Sequence, residues 1–239
     1  MKQFILFSTL IIALSSCFFD NKKKVYGDGN ITTQTRSGSG FTDIEVSGAI
    51  DVVIRQDAAY GMKVETDNNI QQYVEISVEG NTLHIHPDRR VSLQPSKSIT
   101  VYVSAANFKR LEASGASSYR SEGKIQGTDG IQVELSGASS ADLDIKSPTT
   151  ELGLSGASSI TIKGETKDLE IDGSGASHVK AFELMSETAD VDVSGAGGAE
   201  VFASVKLKAS ASGATSINYK GNAEVNSNTS GASSVNKAN

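Results

Sequence analysis

The triplet Ser-Gly-Ala begins at Ser114, Ser136, Ser155, Ser174, Ser194, Ser212 and Ser230, at intervals of 22, 19, 19, 20, 18 and 18 residues. A period near twenty marks a repeat architecture, in which each unit is too small to bury a core alone and must stack on its neighbours. Aligned on the serine, the residues one and three positions upstream are Val133/Leu135, Leu152/Leu154, Ile171/Gly173 and Val191/Val193. Those five and seven positions downstream are Ile160/Ile162, Val179/Ala181, Ala199/Val201 and Ile217/Tyr219. Both runs alternate apolar with polar, the pattern of strands with one buried face. Each repeat therefore reads as one coil of a β-helix, with Val133, Leu152, Ile171 and Val191 in a single interior file. Glycine takes a corner conformation closed to other residues. The triplet's alanine is expected to face inward, where a narrow corner has room for a methyl. The triplet serines and Ser139, Ser158, Ser177, Thr215 and Ser233 are expected to stack as hydroxyl ladders.

An eighth Ser-Gly-Ala, at Ser47, carries in-register Ile44, Val46, Val52 and Ile54 but stands 67 residues ahead of the next. The interval holds strand-like runs at 62–65, 74–78, 83–86 and 99–103, and Glu79-Gly80-Asn81-Thr82 supplies a hairpin turn. Residues 38–113 thus read as an irregular β-rich half that caps the solenoid, and residues 114–239 as the Ser-Gly-Ala β-helix of about 19-residue coils.

The first residues carry a targeting pattern. Lys2 precedes the apolar run Phe4 to Leu14, which has the length of a signal-peptide core and is too short to span a bilayer. Leu14-Ser15-Ser16-Cys17 follows, and it resembles a bacterial lipobox, in which the signal is cut before the cysteine and lipid joins its thiol. Residues 1–16 are expected as a lipoprotein signal peptide and 17–37 as a lipidated N-terminus and linker. Cys17, the only cysteine, is then the membrane anchor. Lys22, Lys23 and Lys24 either lie against anionic headgroups or belong to a solvated linker. A formal charge of -6 argues against a nucleic-acid partner.

Gly27-Asp28-Gly29-Asn30, Phe41-Thr42-Asp43-Ile44-Glu45-Val46, Asp51-Val52-Val53-Ile54 and Gly80-Asn81-Thr82-Leu83-His84-Ile85 lead through Leu111–Ser114 into the glycine-rich repeats. Together, over about residues 27–235, they resemble the head GIN domain family of "putative auto-transporter adhesins". The resemblance implies an all-β, right-handed parallel β-helix in an envelope lipoprotein of a Gram-negative bacterium, held at the outer membrane by lipid. It implies no catalytic residues.

Outward columns follow from the same register. Glu151, Glu170 and Asp190 lie four residues before the triplets, and Glu134, Asp172 and Asp192 lie two before. They form an acidic stripe that is either solvated, with Lys167 and Lys208 as counter-charges, or recruits Ca²⁺ as the one cofactor candidate. Phe182 and Phe202 share an outward column and either contact a sugar ring or partner, or pack under a turn. Arg120, Asp142, Asp144 and Lys163 are expected as cross-strand charge pairs. His84 and His86 share a strand face and could hold zinc only with a third ligand, for which Asp88 is the candidate; exposed histidines are the simpler expectation. The inside of the last coils turns polar at Ser227 and Thr229, so polarity caps that end or another copy stacks there. The function expected is non-enzymatic: a lipid-anchored protein presenting a β-helix to glycan or a cell-surface protein. An assembly protein docking a chain at the solenoid end is the alternative. A polysaccharide-active enzyme fits less well, because no base or convergent Arg or Lys stands beside the stripe.

Overall fold

The computed structural model describes residues 22–239. It is a β-solenoid of about 7 turns, with coils ~19 residues apart. The strands preceding the triplets form one parallel ladder: Thr82–Pro87, Asp43–Val46, Arg110–Ala113, Ile131–Leu135, the second halves of Ser140–Leu154 and Ser159–Gly173, then Thr188–Gly195, Lys206–Gly213 and Glu224–Gly231. The strands following them form a second ladder from Ile99–Ala105 through Ile50–Gln56 and Ser118–Gln126 to Ser234–Lys237. Leu111, Val133, Leu152, Ile171 and Val191 lie in register, and each is at most 2% exposed. The alternation in sequence is thus the alternation of wall and core.

Stacking is tightest at the glycine corner. Gly48, Gly115, Gly137, Gly156, Gly175, Gly195, Gly213 and Gly231 all have φ between +73° and +100°. Each of the first seven accepts, at 2.7–2.8 Å, the amide of the alanine in the next coil, as Ala157 N–H does to the Gly137 carbonyl. A side chain there would strike the coil below: a Cβ on Gly156 would stand 2.6 Å from the Gly137 oxygen. Both φ and space therefore demand glycine.

Gly48 in this column explains the outlying triplet. The Ser47 coil sits directly under the Ser114 coil, and the chain between Gln56 and Arg110 loops out to build a further coil on its other side. Asp43–Val46 is paired with Thr82–Ile85 on one edge and Arg110–Ala113 on the other. Beyond that coil the ladders close antiparallel, Val74–Glu79 against Thr82–Pro87 and Gly61–Asp67 against Ile99–Ala105. Phe41, Met62, Val64 and Ile70 are buried in this N-terminal end.

Two expectations need correction. The triplet alanines, such as Ala116, Ala138, Ala157 and Ala176, are exposed, and the next residue is the one that turns in: Ser117, Ser139, Ser158, Ser177 and Thr215 are at most 3% exposed. Those hydroxyls do not ladder with one another. Ser139, Ser158 and Thr215 donate to carbonyls of their own corner, Ser136 at 2.8 Å, Ser155 at 2.7 Å and Ser212 at 3.4 Å, and Ser117 donates to the Gly48 carbonyl of the coil below at 3.2 Å. A buried methyl would leave that carbonyl unpaired, so the hydroxyl goes inside.

The stretch expected as a linker is also strand. Lys23–Tyr26 pairs in parallel with Val91–Gln94, and Ile31–Arg36 pairs antiparallel with Gly61–Asp67. Val25 and Leu93 pack on the core. The turn between the two strands, Gly27 to Asn30, closes over the buried Asp67 carboxylate. Asp67 accepts Gly29 N–H at 2.8 Å, Ser96 N–H at 2.8 Å and the Ser96 hydroxyl at 2.6 Å, and a Cβ on Gly27 would collide with it at 2.3 Å. Burial pushes this carboxyl up, but the bonds from Ser96 and Gly29 outweigh it and hold the group below its ordinary value.

Candidate functional site

The expected outward phenylalanines are present and half-buried on adjacent coils. Their prominence comes from coil length. The 20-residue coil absorbs its extra residue as a bulge, because Thr161 pairs with Lys180 and Lys163 with Glu183, so Ala181 and Phe182 face Ile162 alone. The next coil is shorter, and its chain turns early at Phe202–Val205, where Ser204 and Val205 donate to the Ser186 and Glu187 carbonyls. The buried Ser186 hydroxyl fastens this step by donating to the Phe202 carbonyl. The result is a ledge on two adjacent coils, with Phe182 and Phe202 on the flank and the exposed Met185 (44%) and Val205 (58%) three residues further along in each coil. Lys220 Nζ stands 4.9 Å over the Phe182 ring centroid. A cation at a ring face and an apolar rim suit an aromatic, sugar-like or apolar surface carrying negative charge.

The acidic stripe lies where the register put it. Glu45, Glu112, Glu134, Asp172 and Asp192 share one file, and Glu151, Glu170 and Asp190 share the next. It is partly neutralised by the wall itself. Arg110 reaches Glu112 at 3.1 Å and Glu134 at 3.2 Å, and Lys208 reaches Asp190 at 2.9 Å. The bond to Asp190 raises the Lys208 pKa. Lys208 was legible as a counter-charge, whereas Arg110 was not, because it belongs to the coil that follows the excursion between Gln56 and Arg110. Gly153 interrupts the first file and leaves an open groove of about 300 Å³ between Glu134 and Asp172. Among the described residues no three of His, Cys, Asp or Glu are grouped as a metal ion would need.

His84 and His86 do share a face, each beside its own carboxylate: Glu45 at 3.1 Å and Glu75 at 3.5 Å. Asp88 does not join them. It is buried and clamped by Arg90, whose guanidinium holds its carboxyl down to about 2. The expected charge pairs Arg120/Asp142 and Asp144/Lys163 are in register but form no ion pair within 4.0 Å; Asp144 instead meets Lys124, which the sequence reading did not include, at 3.9 Å. Cys17 lies outside the described residues.

One feature was missed in the sequence. Val52-Val53-Ile54 breaks the alternation because Val53 points outward, yet it is only 5% exposed. With Tyr102, its register partner on the neighbouring strand, it lines two adjoining grooves of about 360 and 480 Å³. Lys63, Arg55, Arg120 and Asp142 stand around them. The signal was present as three consecutive apolar residues in a strand that should alternate.

The stacked ladders and their lateral faces define a β-solenoid. Over residues 40–223 the chain matches the family described as "putative auto-transporter adhesin, head GIN domain", and it belongs to that family. Its fold is similar to a "putative adhesin" from Bacteroides fragilis, with TM-score 0.84 and 16% identity, covering 90% of this chain and 100% of the other. A "putative adhesin" from Parabacteroides distasonis is similar at TM-score 0.73 and 25% identity, covering 90% and 100%. A "putative lipid binding protein" from the same species has TM-score 0.66 and 24% identity, covering 91% and 100%. The curated proteins contain no match.

Proposed function

We propose that the protein is a non-enzymatic adhesin-type component of the cell envelope, anchored by lipid on Cys17, that presents its solenoid flank to a glycan or cell-surface protein. The observation that carries this reading is the ledge of Phe182, Met185, Phe202 and Val205, with Lys220 over one ring. A soluble solenoid gains nothing from exposing such side chains together, and it pays for them in aggregation risk. Family membership is consistent with an adhesive role and with a place at the cell surface.

The test is a glycan array and a whole-cell binding assay with the wild type and the Phe182→Ala/Phe202→Ala double variant. Aromatic contacts of this kind contribute about 0.5–1.5 kcal/mol each, so the double variant is expected to bind about tenfold more weakly at a temperature where both proteins are fully folded, the half-buried rings costing a few degrees of melting temperature. Undiminished binding would remove the ledge. Loss in Tyr102→Ala instead would move the site to the grooves beside Val53.

A further inference from the structure

We infer that Tyr102 and Val53 form a second saccharide subsite, in line with the phenylalanine ledge, so that one uncharged glycan chain lies along the solenoid wall. The inference rests on the glycan reading above and names the chemistry and direction of the chain, which that reading leaves open.

The argument starts from a valine on the outer wall. Val52 and Ile54 fill the core, so Val53 points outward, where an apolar side chain is covered only if its neighbours on the wall cover it. It is 5% exposed. Its register neighbours on either side are Tyr102 and Arg120, and Lys63 follows Tyr102 on the strand beyond. Tyr102 is half-buried, and with Val53 it lines both grooves described above. The floor is therefore one ring beside one valine, which matches the apolar face of a sugar ring rather than an acyl chain.

The rim has the opposite chemistry. Thr33, Thr35 and Ser104 bring hydroxyls. The 22-residue coil sheds its extra length here: Arg120 faces Asp142 but Lys124 faces Asp144, so residues 121–123 bulge out and Glu122 closes one side. Much of the charge is already engaged. Lys97 holds Glu65 at 2.7 Å, Arg55 holds Asp57 at 3.3 Å, and Asp51 accepts the Ser118 hydroxyl at 2.6 Å. Lys63 and Arg120 remain against Glu122 and Asp142, none of them in an ion pair among the described residues. Two groups of each sign select no net charge. They supply donors and acceptors for the hydroxyls of a neutral pyranose.

Direction comes from the ladder. Five steps lead from the strand of Tyr102, through Ile50–Gln56, Ser118–Gln126, Ser140–Leu154 and Ser159–Gly173, to His178–Met185, which bears Phe182. At about 4.8 Å a step, the two aromatic stations stand about 24 Å apart along one wall. Between them the outward file runs Arg120, Asp142 and Thr161, polar throughout.

The test is an array of neutral gluco-, manno- and galacto-oligosaccharides, as trimers and as decamers, with uronate decamers beside them. It is probed with the wild type, Tyr102→Ala and Phe182→Ala/Phe202→Ala at a temperature where all three are folded. A neutral decamer is expected to bind about tenfold or more tightly than its trimer, because the second contact is made within one chain. That gain should disappear in Tyr102→Ala, and raising salt should leave it unchanged. Equal binding of trimer and decamer, or a gain that survives Tyr102→Ala, would overturn the inference. Under either outcome, trimer binding that depends on Phe182 and Phe202 leaves the ledge reading intact. Binding confined to uronates, or no neutral glycan captured, would also overturn it. Whole-cell binding that survives periodate oxidation of the cell's glycans would assign the wall to a protein partner and overturn it as well.

Discussion

Substituting Gly156 by alanine tests the corner in isolation. The residue has φ +75°, and holding alanine in that region costs about 1–2 kcal/mol. The new methyl would stand 2.6 Å from the Gly137 oxygen and 3.2 Å from its Cα and nitrogen, all backbone. Room can come only from lifting one coil off the other, at the very carbonyl that accepts Ala157 N–H at 2.7 Å. Losing that bond while the groups stay buried costs about 1–3 kcal/mol more. The total is about 2–5 kcal/mol. Gly80 is the control: its φ is +60° and nothing lies within 4 Å of the position its Cβ would take. Gly80→Ala should therefore cost only the conformational part, about 1–2 kcal/mol. Urea unfolding of the two variants measures the difference. Amide exchange locates it, since Ala157 and Ala176, which bond across the Gly156 corner, should lose protection first. Equal destabilisation by both substitutions would refute the stacked corner.

Other outcomes follow from buried polar groups and from the stripe. Tyr119 is buried, and its hydroxyl lies 2.9 Å from the carbonyls of Ile44 and Glu112 on the opposite wall. Tyr119→Phe should lower unfolding free energy by about 1–3 kcal/mol in urea without changing the far-ultraviolet spectrum. Asp67 has its folded pKa below the ordinary carboxylate value, so the unfolded chain binds the extra proton first. Its stabilisation is complete above pH 4–5, in the usual carboxylate range, and is lost as pH falls through the folded value. In melting curves taken down that range, Asp67→Asn should be less stable at neutral pH, with a shallower acid dependence. Millimolar Ca²⁺ should leave the melting temperature unchanged, because Arg110 and Lys208 already pair with the stripe; a rise of several degrees would reinstate a cation site there.

Much of the wall was legible because a period of two transmits directly into burial. Val133, Leu152, Ile171 and Val191 needed nothing but alternation and a fixed interval to be placed in one file. The method fails where geometry departs from that period. Beyond each corner glycine the left-handed turn resets which residue faces in, and so Ala157 and Ser158 exchanged the places expected of them. Spatial order also departs from chain order at the N-terminal end. Nothing in the text places the Ser47 coil between residues 82–105 and the Ser114 coil, since parallel pairing leaves no local trace. The Gly27–Asn30 turn could be read as a motif but not explained, because the carboxylate it encloses, Asp67, lies in another strand. Phe182 and Phe202 were visible as an outward column. The bulge and the early turn that expose Met185 and Val205 beside them depend on comparing coil lengths residue by residue.

The central claim is the wedged coil, and cross-linking tests it most directly. Asp51 and Ser118 are register partners, with the Ser118 hydroxyl 2.6 Å from the Asp51 carboxylate. Neighbouring strands lie about 4.8 Å apart, within the span a disulfide accepts. In a Cys17→Ser background, Asp51→Cys/Ser118→Cys should oxidise rapidly and nearly completely. Asp51→Cys/Ser140→Cys, one coil further and about 9.6 Å apart, should stay reduced. Failure of the first pair, or equal oxidation of both, would contradict the stacking on which the ledge and the stripe both depend.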